Sequence, residues 1–398
     1  MPSPAPEHSI WAKCARALLC GCALAATLVP TSAVFAASAT IVPAAPSVAA
    51  RSYVMMDAET MRVLAEGESR LPLPPASLTK IMTSYVAAVE VAAGRIALDD
   101  EVPVSVNAWR TGGSRMFVRE GTRVSLADLL RGIIIQSGND ASVAVAEYIG
   151  GAESSFADMM NQHAAEIGMT DSTFRNATGL PDDEHLSSAH DLALLTRELI
   201  RRYPDHYAIY AEKSFTYADI EQANRNQLLW LDDSVDGVKT GLTDAAGFCL
   251  VASAERAGMR LITAVMGTDS ADIRSRETQK LLSWGFRYFE TKRIYSADDV
   301  LATPEVWYGE EESVALGVDE LHATFPRGRQ EEMETVIDLP PVLEAPIEVG
   351  AQVGTMRLVL DGDTLATAPL LARATVPEAG FFSRAWDGIY LFFRDLIG

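Results

Sequence analysis

The spacing of apolar positions changes several times along this chain, and each change marks an element. From Leu78 onward the run Leu78, Ile81, Met82, Tyr85, Val86 and Val89 recurs at three- and four-residue steps, which predicts an amphipathic helix. Pro74-Pro75 cannot continue a helix from upstream but leads into a helix start, so Ser77 falls in a first helical turn, with Lys80 one turn on along the same face. Before this helix, residues 51–56 and 61–65, joined at Asp57-Ala58-Glu59-Thr60, read as a β-hairpin. After it, helical spacing returns at 125–135, where Ser125 and Asp128 form a capping box. It returns again at 140–149, stopped by Gly150-Gly151, and at 156–167 and 190–201. Between 236 and 267 the period becomes two: 247–254 and 260–266, hinged at Ala257-Gly258, read as paired strands, and a helix over about 272–289 follows. Strands at both ends with helices between them predict an α+β domain over 51–293, one antiparallel sheet carrying a helical subdomain.

From 294 the pattern shortens. Glu310-Glu311-Glu312 and Glu331-Glu332 mark solvated loops, and 335–339, 345–349, 355–360 and 364–371 read as short strands, with Asp361-Gly362 a hairpin turn. This predicts a small all-β domain over 294–377. Beyond Pro377, the large side chains Phe382, Trp386, Ile389, Phe393 and Ile397 share one helical face, and Ser383, Arg384, Asp387 and Asp395 lie largely elsewhere. The segment 378–398 is too interrupted by charge to span a bilayer, so an amphipathic helix in the membrane interface is expected, with packing on the β-domain as the alternative. At the other end, Lys13 and Arg16 precede an apolar run over 17–29, and Val34-Phe35-Ala36 offers a signal-peptidase site. Residues 1–36 are therefore expected to be a secretory signal peptide, and 37–50, rich in Ala, Pro and Ser, a linker.

Composition narrows the function. A length of 398 residues suits two domains, and 48% hydrophobic with 22% charged residues describes a globular chain. Three of the four cysteines, Cys14, Cys20 and Cys22, lie inside the signal segment, where Cys20-Gly21-Cys22 also reads as a poorly matched lipid-attachment box. Cys249 alone remains, a small core residue with no internal disulfide partner. The net charge is −21, and removing Lys13, Arg16 and Glu7 with the signal (net +1) takes it to −22. Such a surface repels nucleic acid and anionic headgroups, so any membrane attachment rests on apolar insertion. No phosphate-cradling glycine loop or dinucleotide fingerprint is present, and no cofactor is expected. Asp182-Asp183-Glu184-His185 and His190 lack metal-ligand spacing and read as a solvated loop.

The chemistry gathers around Ser77. A serine hydroxyl needs a neighbour to take its proton as it attacks, and a lysine does this only when burial or a second cation lowers its pKa. A helix start adds N–H groups for a developing oxyanion. Ser-x-x-Lys alone is a common pattern, but two further elements answer to it. Gln136-Ser137-Gly138-Asn139 lies between two helices, where it either points a hydroxyl and a carboxamide into a cleft or caps a helix. Lys239-Thr240-Gly241 opens the strand region. With only six lysines in the chain, a chance match there is on the order of a few per cent.

Ser-x-x-Lys, Ser-x-Asn and Lys-Thr-Gly in this order resemble the penicillin-recognising serine acyltransferases, most closely the low-molecular-weight penicillin-binding proteins that act as D-alanyl-D-alanine carboxypeptidases. Gly112-Gly113-Ser114-Arg115-Met116-Phe117, Asn224-Arg225-Asn226, Val235 to Gly241 and Trp284-Gly285-Phe286-Arg287 are similar too, and the resemblance runs from about residue 50 to the C-terminus. It implies a β-lactamase/transpeptidase-like fold acting on peptidoglycan pentapeptide stems, inhibited by β-lactams, in the periplasm on the outer face of the inner membrane. It implies roles as well: Ser77 as nucleophile, Lys80 as its base, and Ser137 relaying a proton to the departing amine. Asn139 would hold the substrate amide, and Lys239 would keep Lys80 partly neutral. Thr240 would bind the terminal carboxylate beside Gly241, and the backbone N–H groups of Ser77 and Leu242 would form the oxyanion hole. Arg225 and Arg276 match arginines near the carboxylate site, each of which reads equally as an ion-pair partner. A peptidoglycan endopeptidase uses the same site and stays open. A β-lactamase is disfavoured because the middle motif is Ser-Gly-Asn and no Glu-x-x-Leu-Asn lies between Asn139 and Lys239. A non-catalytic wall-binding scaffold has no need of all three motifs.

Overall fold

The computed structural model describes residues 41–397, with side chains as far as Phe392; the expected signal peptide lies outside the described residues. Strands β1 (Ser52–Asp57) and β2 (Val63–Gly67) form the expected hairpin. They join β3 (Val235–Thr243), β4 (Gly247–Arg256) and β5 (Met259–Thr268) in an antiparallel sheet of order β2-β1-β5-β4-β3. The period of two is used on both faces. Val54, Met56, Val251, Ile262, Ala264 and Met266 pack under the helical block, and Met55, Leu250, Ala252, Leu261 and Val265 pack on the opposite side. Strand β3 lies at the sheet's edge, so one row of its backbone N–H and C=O groups has no strand neighbour.

Helix α1 (Thr79–Ala92) is buried along most of its length, with Leu78, Ile81, Met82, Tyr85 and Val86 in the main core. Ser77 belongs to a short 3-10 turn, Ala76–Leu78, that precedes it. The helix expected over 125–135 divides into a strand Arg123–Ser125, a helix Leu126–Arg131 and a π-helical turn Gly132–Gln136. Ser125 does cap, its Oγ accepting from the Asp128 N–H at 3.1 Å. The wider turn delivers the chain to Ser137 just before α2 (Asn139–Gly150), a use of π geometry that recurs at functional sites. A hairpin over Ser214–Tyr217 and Ile220–Ala223 was not legible in the sequence. Its turn, Ala218-Asp219, takes left-handed φ values of 48° and 60° without the glycine that normally announces such a turn.

Helix α3 (Ala271–Tyr288) covers the far face of the sheet through Leu281, Leu282 and Phe286. Residues 41–50 are not a free linker but a strap along this helix. Ala49 N–H donates to Glu277 Oε2 (3.2 Å), Lys280 Nζ to the Ser47 carbonyl (2.7 Å) and Trp284 Nε1 to the Pro43 carbonyl (3.3 Å), while Val42 and Val48 pack on the core beneath. The composition there read as a linker, and contacts with a helix more than 200 residues away, which composition does not carry, fix it in place.

The second domain begins earlier than 294, because Phe289–Tyr295 is already a strand paired with Leu321–Pro326. A four-stranded sheet of Leu316–Gly317, Asp363–Ala372, Gln352–Leu360 and Glu334–Asp338 encloses a separate core that includes Phe325, Met356, Leu358 and Leu370. The strand expected at 345–349 is instead the short Leu343–Glu344, since Pro346 has no N–H to continue a ladder. Asp361-Gly362 makes the expected turn, with φ of 54° and 87°. The buried Asp57 carboxylate joins the domains, accepting from Thr60 Oγ1 (3.0 Å) and Thr291 Oγ1 (2.6 Å). Helix α4 (Phe381–Ile397) follows, turning Asp387, Tyr390 and Leu391 toward the β-domain. Asp387 Oδ2 accepts from the Tyr308 N–H (2.9 Å), Leu391 is buried, and Tyr390 stacks on Trp307 at 5.4 Å. Phe382 and Trp386 are 87% and 72% exposed, with Phe381, Ile389 and Phe392 also outside.

Candidate active site

Ser77, Ser137, Arg225, Thr240, Leu242 and Arg274 line one cavity of about 170 Å³. Lys80 Nζ lies beneath it, 3.1 Å from Ser77 Oγ, and donates to Asn139 Oδ1 (2.7 Å) and to the Thr178 carbonyl (2.6 Å). The Lys80 side chain is wholly buried, and its pKa is lowered to about 7, first by burial and then by the Arg225 guanidinium, against the pull of Asp140. Lys239, expected to help keep Lys80 partly neutral, stands in the same charge cluster, and repulsion between the two amines is mutual. The Lys239 amine is itself driven well below its ordinary range, by burial and then by Lys80 and Arg225.

Strain collects at the same place. Ala76, Ser137 and Phe117 are non-glycine residues with φ of 48°, 66° and 72°. Such conformations cost about 1–3 kcal/mol each and persist where surrounding structure holds them. Ser137 Oγ is buried with no hydrogen-bond partner among the described residues, which leaves it open to a ligand.

The cavity is cationic. Lys239 is buried, and its Nζ reaches only the Thr240 carbonyl, at 3.4 Å. Among the described residues, no carboxylate forms an ion pair with Lys80, Lys239, Arg225 or Arg274, and burial is the first cause lowering the pKa of each. Arg225 and Arg274, with two buried amines beside them, make a local receptor for an anion in a chain of net charge −21. Arg225 is held by its neighbours: Asn226 Nδ2 donates to the Gly237 carbonyl of β3 (2.8 Å), and the Asn226 N–H to Asn224 Oδ1 (3.0 Å). Gly241 lets β3 approach the serine turn, since a Cβ there would meet the Pro75 carbonyl oxygen at 3.0 Å.

Arg276 is not part of this site. It is largely exposed and pairs with Glu277 at 3.8 Å, whereas Arg274 lines the cavity, its Nη1 donating to the Gly241 carbonyl (3.3 Å). Helical phase held the signal: Arg274 lies four residues before Thr278 and seven before Leu281, both buried, so it shares their face. Thr178 and Gly179 were also missed. His185, read as solvated, is buried; its Nε2 lies 2.8 Å from Thr79 Oγ1 and its Nδ1 accepts from the Arg175 N–H (3.1 Å). Burial lowers its pKa to about 4, so it is a neutral pin between this loop and the serine helix.

Gly179 offers a sharp test of that packing. Its φ is +79°, and a Cβ would come within 1.8 Å of the Ala76 carbonyl oxygen, immediately before Ser77. Gly179→Ala must push the loop off the serine turn and move Thr178 from Lys80. The expected result is a loss of about tenfold or more in acylation rate with destabilisation of about 1–3 kcal/mol, read by penicillin labelling and thermal melting. Unchanged labelling would show the loop to be dispensable.

Residues 39–270 match the family model described as D-alanyl-D-alanine carboxypeptidase, and residues 289–378 match the C-terminal domain of penicillin-binding protein 5. The chain is 44% identical over 392 residues to D-alanyl-D-alanine carboxypeptidase DacC of Escherichia coli, covering 96% of this chain and 97% of the relative. Penicillin-binding protein 5 from Haemophilus influenzae superposes with a TM-score of 0.81 at 40% identity, covering 85% of this chain and 100% of that structure. Penicillin-binding protein D2 from Listeria monocytogenes, in its ampicillin-bound form, superposes with a TM-score of 0.56 at 29% identity over 61% of this chain and all of its own. With the three motifs converging on one cationic cavity beneath the matched fold, the chain belongs to the D-alanyl-D-alanine carboxypeptidase family of low-molecular-weight penicillin-binding proteins.

Proposed function

We propose that this protein removes the terminal D-alanine from peptidoglycan pentapeptide stems through an ester on Ser77, and that β-lactams trap the same ester. The observation that carries the reading is Ser77 Oγ within 3.1 Å of a buried amine whose pKa is about 7, beside the buried Lys239 and Arg274, with which no carboxylate among the described residues forms an ion pair. Lys80, neutral in much of the population near pH 7, takes the Ser77 proton as Oγ attacks the penultimate carbonyl. The substrate lies along the free edge of β3 as an added strand. Its C-terminal carboxylate meets Thr240, Arg225, Arg274 and Lys239, which is why a free carboxyl end is preferred. The Ser77 and Leu242 N–H groups receive the oxyanion. Ser137 Oγ passes a proton to the leaving D-alanine, and Asn139 holds the substrate amide while accepting from Lys80. Water then hydrolyses the ester.

Mass spectrometry of penicillin-treated protein is expected to find the adduct on the peptide bearing Ser77, and a pentapeptide is expected to release D-alanine at a rate that a chelator leaves unchanged. An adduct elsewhere, or none, overturns the nucleophile. Cleavage of cross-linked dimers with pentapeptides left whole would make the protein an endopeptidase.

We also infer that the protein is exported and attached to the outer face of the inner membrane by α4. The exposed apolar face of Phe381, Phe382, Trp386 and Ile389 supports this, and among the described residues no helix is long and apolar enough to cross a membrane.

A further inference from the structure

We propose that Asp140 is a positioning residue of this site, holding the loop 111–118 so that Asn139 presents its oxygen to Lys80. Asp140 stands in the first turn of α2, buried, and its carboxylate accepts four backbone N–H groups. Oδ1 takes those of Met116 (2.9 Å) and Ala141 (2.9 Å); Oδ2 takes those of Phe117 (2.8 Å) and Val118 (3.2 Å). Only an acceptor at both ends of the group can do this, so the amide of an asparagine would turn a donor toward N–H groups. The bonds hold Phe117 in its left-handed conformation, φ +72°. From the hairpin side, Gln222 Nε2 donates to the Met116 carbonyl (3.1 Å).

The loop so held closes on Asn139. The Gly112 carbonyl accepts from Asn139 Nδ2 (2.7 Å), and the Ser114 carbonyl accepts from the Asn139 N–H (2.8 Å). With its NH2 committed to Gly112, the carboxamide has one orientation left, and Oδ1 accepts from Lys80 Nζ at 2.7 Å. Asp140 therefore acts at one remove, through loop and carboxamide, on the amine beside Ser77. It acts by charge as well: among the groups around Lys80, Arg225, Lys239 and His185 bear on it as cations or potential cations, and Asp140 is the carboxylate that favours the ammonium. Gly113, exposed on the loop, gives independent access to the relay, because a Cβ there would lie 2.6 Å from Asn139 Nδ2.

The inference rests on Ser77 acylation with Lys80 as base. The test is the acylation rate constant of the full chain with a fluorescent penicillin, measured across the neutral pH range for wild type, Asp140→Asn and Gly113→Ala. Both variants are expected to lose about ten- to a hundredfold, and in both the rising limb of the profile is expected to move to lower pH. In Asp140→Asn the ammonium loses a nearby negative charge; in Gly113→Ala it loses the displaced Asn139 oxygen. A merely structural defect lowers the rate at every pH and leaves the midpoint where it was, and that result overturns the proposal, as does wild-type behaviour of both variants. Should Asp140→Asn fail to fold, Asp140→Glu takes its place: it keeps the charge but moves the acceptors off the loop N–H groups, so the midpoint is expected at lower pH, and a wild-type midpoint overturns the proposal. Wild type that is never labelled at Ser77 would instead refute the reading beneath.

Discussion

Lys80→Met is expected to lose both D-alanine release and penicillin labelling by about a thousandfold or more, the upper range for removing a general base. The expectation is large because Lys80 Nζ is the amine within 3.1 Å of Ser77 Oγ, and its environment has already brought its pKa to about 7. Lys80→Arg separates the two things a lysine can offer. It keeps the positive charge but gives no neutral form, so it should fail as badly as methionine if the proton is what matters. An arginine variant that labels within a few fold of wild type would reduce Lys80 to an electrostatic role. The pH profile of wild type follows with its sign. Only the unprotonated amine accepts a proton, so kcat/KM should climb as pH rises through about 7 and then level off. Arg225→Ala removes a like charge that lowers the Lys80 pKa, so in that variant the rising limb should move to higher pH, apart from any loss in substrate affinity.

Much of this site was legible in the sequence because its parts are local. Ser77 and Lys80 share a helical face by spacing alone, and Ser137-Gly138-Asn139 and Lys239-Thr240-Gly241 are contiguous. The sheet was legible too, since alternation in β4 and β5 survives burial on both faces. What escaped was set by distant contacts. Thr178 enters the site as a backbone carbonyl, which no side-chain pattern announces, and Gly179 is small because the Ala76 carbonyl lies against it. His185 looked solvated in an acidic stretch and turned out to be buried under α1. The two arginines differ in another way: Arg274 and Arg276 stand two residues apart, and helical phase buries one and exposes the other. The broken helix at 132–136 hides behind an unbroken run of isoleucines, where a π turn and an α turn share the same apolar composition.

Ending the chain after Glu378 is expected to move the protein from the membrane pellet to the soluble fraction while its activity on a small soluble peptide stays within about twofold. The first half follows from which side of α4 is turned outward. An amphipathic helix that merely completes a core buries its apolar face, yet here Asp387, Leu391 and Tyr390 make the contacts with the β-domain, and Phe381, Phe382, Trp386, Ile389 and Phe392 are outside. Inserting five such side chains into a bilayer interface is worth roughly 8–15 kcal/mol gross, at about 1.5–3 kcal/mol each, before the cost of ordering helix and protein at the surface. Charge gives no help: Arg384 is paired with Glu378, and the body carries a large negative charge, so attachment should depend little on salt and persist on vesicles of neutral lipid. The second half follows from position, because the active-site cavity is lined by residues of the first domain and none of α4. A truncated protein that still pellets would assign attachment to another surface. Loss of peptide hydrolysis together with a lowered melting temperature would make α4 a packing element of the β-domain instead.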